Sequence, residues 1–159
     1  MKRLLVALVL ASCGGSTTPT KPVEPSAPAT EKILVLVDDQ GVGLGGHDPV
    51  SYTKGEPVAG SADQSASHGG ATYLFASAED KTAFEDDKAK FAPAFGGYCA
   101  FAAAQNRLST SDPKVFHLHE GQLLVFTNED FKTRFMEDPA GNKAKADANW
   151  PGLVAKHGK

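Results

Sequence analysis

The stretch Gly41-Val-Gly-Leu-Gly-Gly-His-Asp-Pro-Val-Ser-Tyr52 follows the apolar run Ile33-Leu-Val-Leu-Val37 and carries glycines 41, 43 and 46 in the spacing GxGxxG. Its reading decides the fold. A dinucleotide loop works because a helix opens directly after the last glycine and offers its free N–H groups to the pyrophosphate. Here Pro49 stands three residues beyond Gly46, and Gly55 and Pro57 follow, so no helix of useful length can start in time. The glycines therefore predict a tight, irregular turn that needs positive φ, and no nucleotide is expected.

Upstream, Lys2 and Arg3 precede the apolar run Leu4 to Leu10, which ends in Leu10-Ala-Ser-Cys13. Charge, short apolar core, small residues and cysteine in that order resemble a bacterial lipoprotein signal. The resemblance implies removal of residues 1–12, a diacylglyceryl (palmitate-type) anchor on the Cys13 sulfur and acylation of the new amino terminus. Seven apolar residues fall far short of the ~20 that span a bilayer. Each buried methylene contributes ~0.8 kcal/mol, and two or three chains suffice for stable attachment. Cleavage would leave 147 residues with 14 basic and 19 acidic side chains, a formal charge of −5. No basic cluster of the kind that neutralises a phosphate backbone is visible, so nucleic acid is not an expected partner. Residues 13–30, rich in Pro, Ser and Thr, lack the apolar content to offset ordering and read as an extended tether of some tens of ångströms, at ~3.1 Å per residue.

Residues 31–159 have room for one small domain with one core, and no internal repeat is evident. With Cys13 acylated, Cys99 has no disulfide partner. Ile33 to Val37 has strand length, and Ala71-Thr-Tyr-Leu-Phe75 alternates as a strand does. Residues 41–70 read as a long loop, with short strand pieces near Val50 to Tyr52. A helix is expected after Ser77, whose hydroxyl and the acids Glu79 and Asp80 suit a first turn; it ends before Pro93. A second short helix is expected from near Gly97 through the alanines to Gln105. Val115 to His119 and Gln122 to Thr127 predict a hairpin around Glu120-Gly121 with the second arm more buried, although Glu is not a favoured turn residue. Asn128 predicts a cap for a helix bearing Phe131 and Phe135, and a last helix is expected from Pro139 to Asn149, with Pro151 as its stop. Helices and strands without strict alternation indicate a small α+β domain.

His47-Asp-Pro-Val-Ser-Tyr52, His68-Gly-Gly-Ala-Thr-Tyr-Leu-Phe-Ala-Ser77, Phe84, Lys90-Phe-Ala-Pro-Ala-Phe-Gly-Gly-Tyr-Cys99 and Lys145-Ala-Asp-Ala-Asn-Trp-Pro151 together resemble the extracytoplasmic single-domain members of the YHS-domain family, over about Gly43 to Pro151. The resemblance implies a small metal-associated module. Family members that bind soft metals carry cysteines where this chain has Ser51, Ala76 and Asp80, so that thiolate site is not implied here.

The remaining candidates can be stated residue by residue. Cys99 near a helix start would have its thiolate favoured by the dipole; its competing account is a small buried apolar residue. His117 and His119 share one strand face and have ligand spacing, on the solvent side if Phe116 and Leu118 face the core. Asp48 beside His47 could orient an imidazole ligand, or simply form a turn before proline. If the glycine loop folds over the Gly97 helix, His47, His68 and Cys99 converge on an N/S site for copper or zinc. The expected function is thus a non-catalytic, lipid-anchored envelope module, facing the periplasm from the outer membrane because Gly14 rather than aspartate follows Cys13. It binds a metal ion or docks to an envelope partner. The alternatives are a thiol-dependent redox or transfer enzyme using Cys99, and a purely structural lipoprotein. Trp150 is expected to anchor the last helix to the core.

Overall fold

The alternating residues Ala71–Phe75 do form a strand (β2), and their antiparallel partner is Ser61–His68 (β1), inside the segment expected as loop. Ser, Ala, Asp and Gln give β1 no strand propensity of their own. The two-residue turn Gly69-Gly70, with φ of +57° and +84°, sets the register instead, since the right-handed strand twist favours left-handed turn residues. The computed structural model describes residues 31–159, which form one compact unit; the expected signal peptide (1–12) and tether (13–30) lie outside the described residues. After β2 come α1 (Ala78–Asp86), α2 (Lys88–Phe91), α3 (Ala100–Ala104), the strands β3 (Asp112–His119) and β4 (Gln122–Phe126), α4 (Glu129–Met136) and α5 (Pro139–His157). This is a small mixed α+β domain with two separate two-stranded antiparallel sheets.

The domain is a duplicated unit, which the sequence reading missed. β1 pairs with β2 as Ser61↔Phe75, then Ser65↔Leu74 to His68↔Ala71 after a bulge; β3 pairs with β4 as Asp112↔Phe126, then Phe116↔Val125 to His119↔Gln122 after the same bulge. Each residue of the second hairpin stands 51 positions after its counterpart in the first. The offset holds without insertion or deletion on both sides. Ser77 caps α1 through the Asp80 N–H and Asn128 caps α4 through the Phe131 N–H; Asp87 caps α2 through Lys90 and Asp138 caps α5 through Gly141. The left-handed residues repeat as Leu44/Phe95, Gly45/Gly96, Gly46/Gly97, Gly55/Asn106, Gly69/Glu120 and Gly70/Gly121. Phe84 stacks on Phe75 at 5.1 Å as Phe135 stacks on Phe126 at 5.2 Å. Few side chains are identical between halves. Caps, positive-φ positions and core aromatics are among what is retained, because those sites tolerate little else.

The halves stack head to tail. β4 is buried on both faces: Leu124 and Phe126 join the second core with Phe135 and Cys99, while Leu123 and Val125 enter the first core with Tyr52, Phe75 and Phe84. Phe116 and Leu118 pack there too, and the Tyr52 ring meets Phe116 edge-on at 4.9 Å. Their counterparts on the outer face of the first hairpin are Ser65, Ser67, Thr72 and Leu74, mostly polar, as suits a terminal unit on which no further hairpin stacks among the described residues. At the other end the place of a third hairpin is taken by α5, which contributes Ala146, Leu153 and Trp150 to the second core.

Four further element expectations are corrected, the first being the strand pieces expected near Val50 to Tyr52, where the chain instead forms a 3-10 helix, Ser51–Lys54. Ile33–Val37 is extended but joins neither sheet: Ile33 exchanges both backbone hydrogen bonds with Lys159, Leu36 N–H donates to the Gly96 carbonyl at 2.8 Å, and Val37 bridges Gly43. The helix expected from Gly97 starts at Ala100, because Phe95, Gly96 and Gly97 are left-handed. Pro151 does not stop α5, which continues to His157. Burial of Leu153 and the hydrogen bonds from Asn149 Nδ2 to the Ala103 and Ala104 carbonyls hold the helix against α3 on either side of the proline, outweighing its local cost of about 3 kcal/mol. No helix among the described residues is long and apolar enough to cross a membrane.

Candidate functional site

The glycine stretch forms the expected irregular turn: Leu44–Gly46 is a single 3-10 turn with φ of +51°, +56° and +78°, followed by extended His47. No α-helix follows it before α1. A Cβ at Gly45 would press on the Pro113 ring and one at Gly43 on Tyr73, so those two glycines also permit close packing.

Asp48 is fully buried and acts as a staple. One carboxylate oxygen accepts the Val50 N–H at 2.8 Å and the other the Ala76 N–H at 2.9 Å, which ties the turn to the end of β2. Burial raises its pKa above the usual 3.8, against the two N–H donors that favour the anion, and the neighbouring Asp80 adds to the rise. Asp80 in turn is paired with Lys54, whose pKa it raises. Ser51 Oγ donates to the Asp48 carbonyl at 2.6 Å and accepts the Val58 N–H at 2.9 Å. Tyr52 OH donates to the Pro113 carbonyl at 2.9 Å, joining the two halves, and burial raises its pKa strongly. Every polar side chain of Asp48-Pro-Val-Ser-Tyr52 is therefore used in holding the fold.

The structure separates the three expected metal donors. Cys99 is 0% exposed in the second core and occupies the position equivalent to Asp48. Its N–H donates to the Ser109 carbonyl at 3.0 Å, as the Asp48 N–H donates to Val58. His68 ends β1 with its ring edge-on to Phe84 of the first core at 6.1 Å. His47 Nδ1 lies 3.1 Å from the Leu44 carbonyl oxygen, and Asp48, committed to two N–H groups, does not orient it. Among the described residues no group of three or more His, Cys, Asp or Glu side chains is placed to hold a metal ion, so the convergence of His47, His68 and Cys99 is not formed.

His117 and His119 do share a face, with rings 6.2 Å apart. It is not a solvent face. Both are half-buried on the side of Leu124 and α4, because Phe116 and Leu118 are drawn into the first core. Burial, then His119 and Lys132, lowers the His117 pKa. Trp150 packs edge-on to Phe95 at 5.5 Å and serves the core as expected.

Sequence reading missed the cationic cleft where Arg107 meets Lys156 and His157. These residues lie far apart in the chain, and no motif links them. In comparisons with known proteins, no family model, no curated protein and no solved structure matches this chain.

Proposed function

We propose that the chain is a lipid-anchored, extracytoplasmic YHS-like module without catalytic activity, held at the envelope by acyl chains on Cys13, whose task is to dock a partner rather than to carry copper or zinc. The observation that carries this reading is the use of the motif side chains. Asp48, Ser51 and Tyr52 are satisfied within the fold, and the one thiol is enclosed among apolar side chains. Neither a thiolate nucleophile nor an open ligand set is thereby offered to solvent. Gly14 rather than aspartate after Cys13 supports outer-membrane placement, facing the periplasm.

Two measurements test it. Cys13→Ser should move the protein from the membrane to the soluble fraction and abolish the acyl mass on the mature chain; a variant that stays membrane-bound without that mass overturns the anchor. Tag-free protein should take up no stoichiometric copper or zinc at micromolar metal. Uptake that disappears in Cys99→Ala would overturn the docking reading in favour of a metal carrier.

A further inference from the structure

The loop leaving α3 and the last turns of α5 enclose a cleft of about 490 Å³. Its floor is apolar, from Leu108 and the buried Leu153. Its rim carries two cations, Arg107 from the loop and Lys156 from α5, with His157 beside them, and no acidic side chain lines it. This runs against the charge of the domain. Residues 31–159 carry 13 Lys and Arg against 18 Asp and Glu, a formal charge of −5.

The ordinary explanation for cations in a last helical turn is the helix dipole. Here that end is already served: Lys32 Nζ donates to the Ala155 carbonyl at 2.8 Å, and the Gly158 N–H closes on the Val154 carbonyl at 2.7 Å. Arg107 follows the end of another helix, α3, where its own N–H closes on the Ala102 carbonyl at 2.9 Å, so the cleft brings cations from two helix ends to one place. Among the described residues neither Arg107 nor Lys156 has a carboxylate within ion-pair distance; the pairs formed are Lys54–Asp80, Lys132–Glu129, Arg134–Asp130 and Lys143–Asp147. Arg107 and Lys156, both exposed, line one cleft from two elements without a counter-charge, and a bound anion would supply it.

We propose that this cleft binds a phosphate group bearing an apolar substituent. The Arg107 guanidinium supplies the planar fork that suits phosphate oxygens, Lys156 supplies a point charge, and Leu108 and Leu153 accept the apolar portion. A soluble organic phosphate and a phospholipid headgroup share this chemistry. The proposal rests on neither the lipid anchor nor the family resemblance.

The test uses residues 31–159, a compact unit with its own two cores, in an amide NMR titration with glycerol 3-phosphate and, in parallel, co-sedimentation with phosphatidylglycerol or phosphatidylcholine vesicles. The expected result is shifts confined to residues 106–108 and 152–157, weakened about ten-fold or more by Arg107→Gln with Lys156→Gln, as loss of charge-assisted hydrogen bonds implies. Lys81→Gln on α1 should change nothing. Glycerol 3-phosphate binding alone identifies a soluble phosphate; added retention on phosphatidylglycerol but not phosphatidylcholine vesicles identifies a lipid headgroup. The proposal is overturned if neither probe perturbs these residues at millimolar concentration, if the double variant binds as well, or if chloride at equal ionic strength displaces the probe.

Discussion

Replacing Asp48 should separate its two roles, as acceptor and as buried charge. Asp48→Ala leaves the Val50 N–H, in a buried position, without an acceptor, and removes the partner of the Ala76 N–H, which is nearer solvent. A hydrogen bond to a charged group contributes about 1.5–3 kcal/mol. Water can replace much of the second bond, and removal of a carboxylate that burial and Asp80 disfavour offsets part of the loss. The net cost should be about 2–4 kcal/mol. Asp48→Asn keeps an oxygen for Val50 and removes the charge, so it should cost about 1 kcal/mol or less. The sign with pH follows from the raised folded pKa: the native state takes up a proton more readily than the unfolded chain, so this group's contribution grows as pH falls through the folded pKa toward 3.8 and is lost as pH rises. Urea unfolding at neutral pH and at mildly acidic pH should therefore show wild type gaining on Asp48→Asn as the solution is acidified. An alanine variant as stable as wild type, or a gap to Asn that moves the other way with pH, would refute the staple and its burial-dominated electrostatics.

Phe84 and Phe135 hold equivalent places in two cores and are both fully buried. Each Phe→Ala substitution should cost about 3–5 kcal/mol; a tolerant site at either position, read from denaturant midpoints, would show that the halves are not packed alike. His117, whose pKa burial holds below the ordinary 6.5 in the folded state, takes up a proton less readily there than in the unfolded chain, so it removes stability as pH falls through 6.5. His117→Gln should lose less stability than wild type between neutral and mildly acidic pH, and parallel stability–pH curves would count against the burial of that ring.

Much of the fold was legible where a local rule has a local cause. Ser77 and Asn128 announce helix starts because a short side-chain oxygen meets a free N–H three residues on, and the alternation of Ala71 to Phe75 reports a strand with one buried face. The missed features have non-local causes. β1 is polar because it lies at the end of the stack, so its sequence carries no strand pattern; α5 passes Pro151 because of packing on α3, from which β3, β4 and α4 separate it in the chain. The duplication left no obvious trace, since Phe116, Leu118 and Leu123 had to become apolar where Ser65, Ser67 and Thr72 stayed polar. The site was least legible. The paired letters His47-Asp48 suggest an oriented ligand, whereas the backbone at Val50 and Ala76 claims the carboxylate first.

The head-to-tail stacking also bears on solubility. An interface that joins the inner side of one unit to the outer side of the next is heterologous and does not close on itself, the geometry from which filaments grow. Three hydroxyl-bearing residues on the first hairpin stand between this chain and that outcome, and the long terminal helix covers the opposite end. Exchanging Ser65, Ser67 and Thr72 for the Phe, Leu and Leu of their counterparts, with α5 displaced, would supply both halves of a polymerisation contact within one chain.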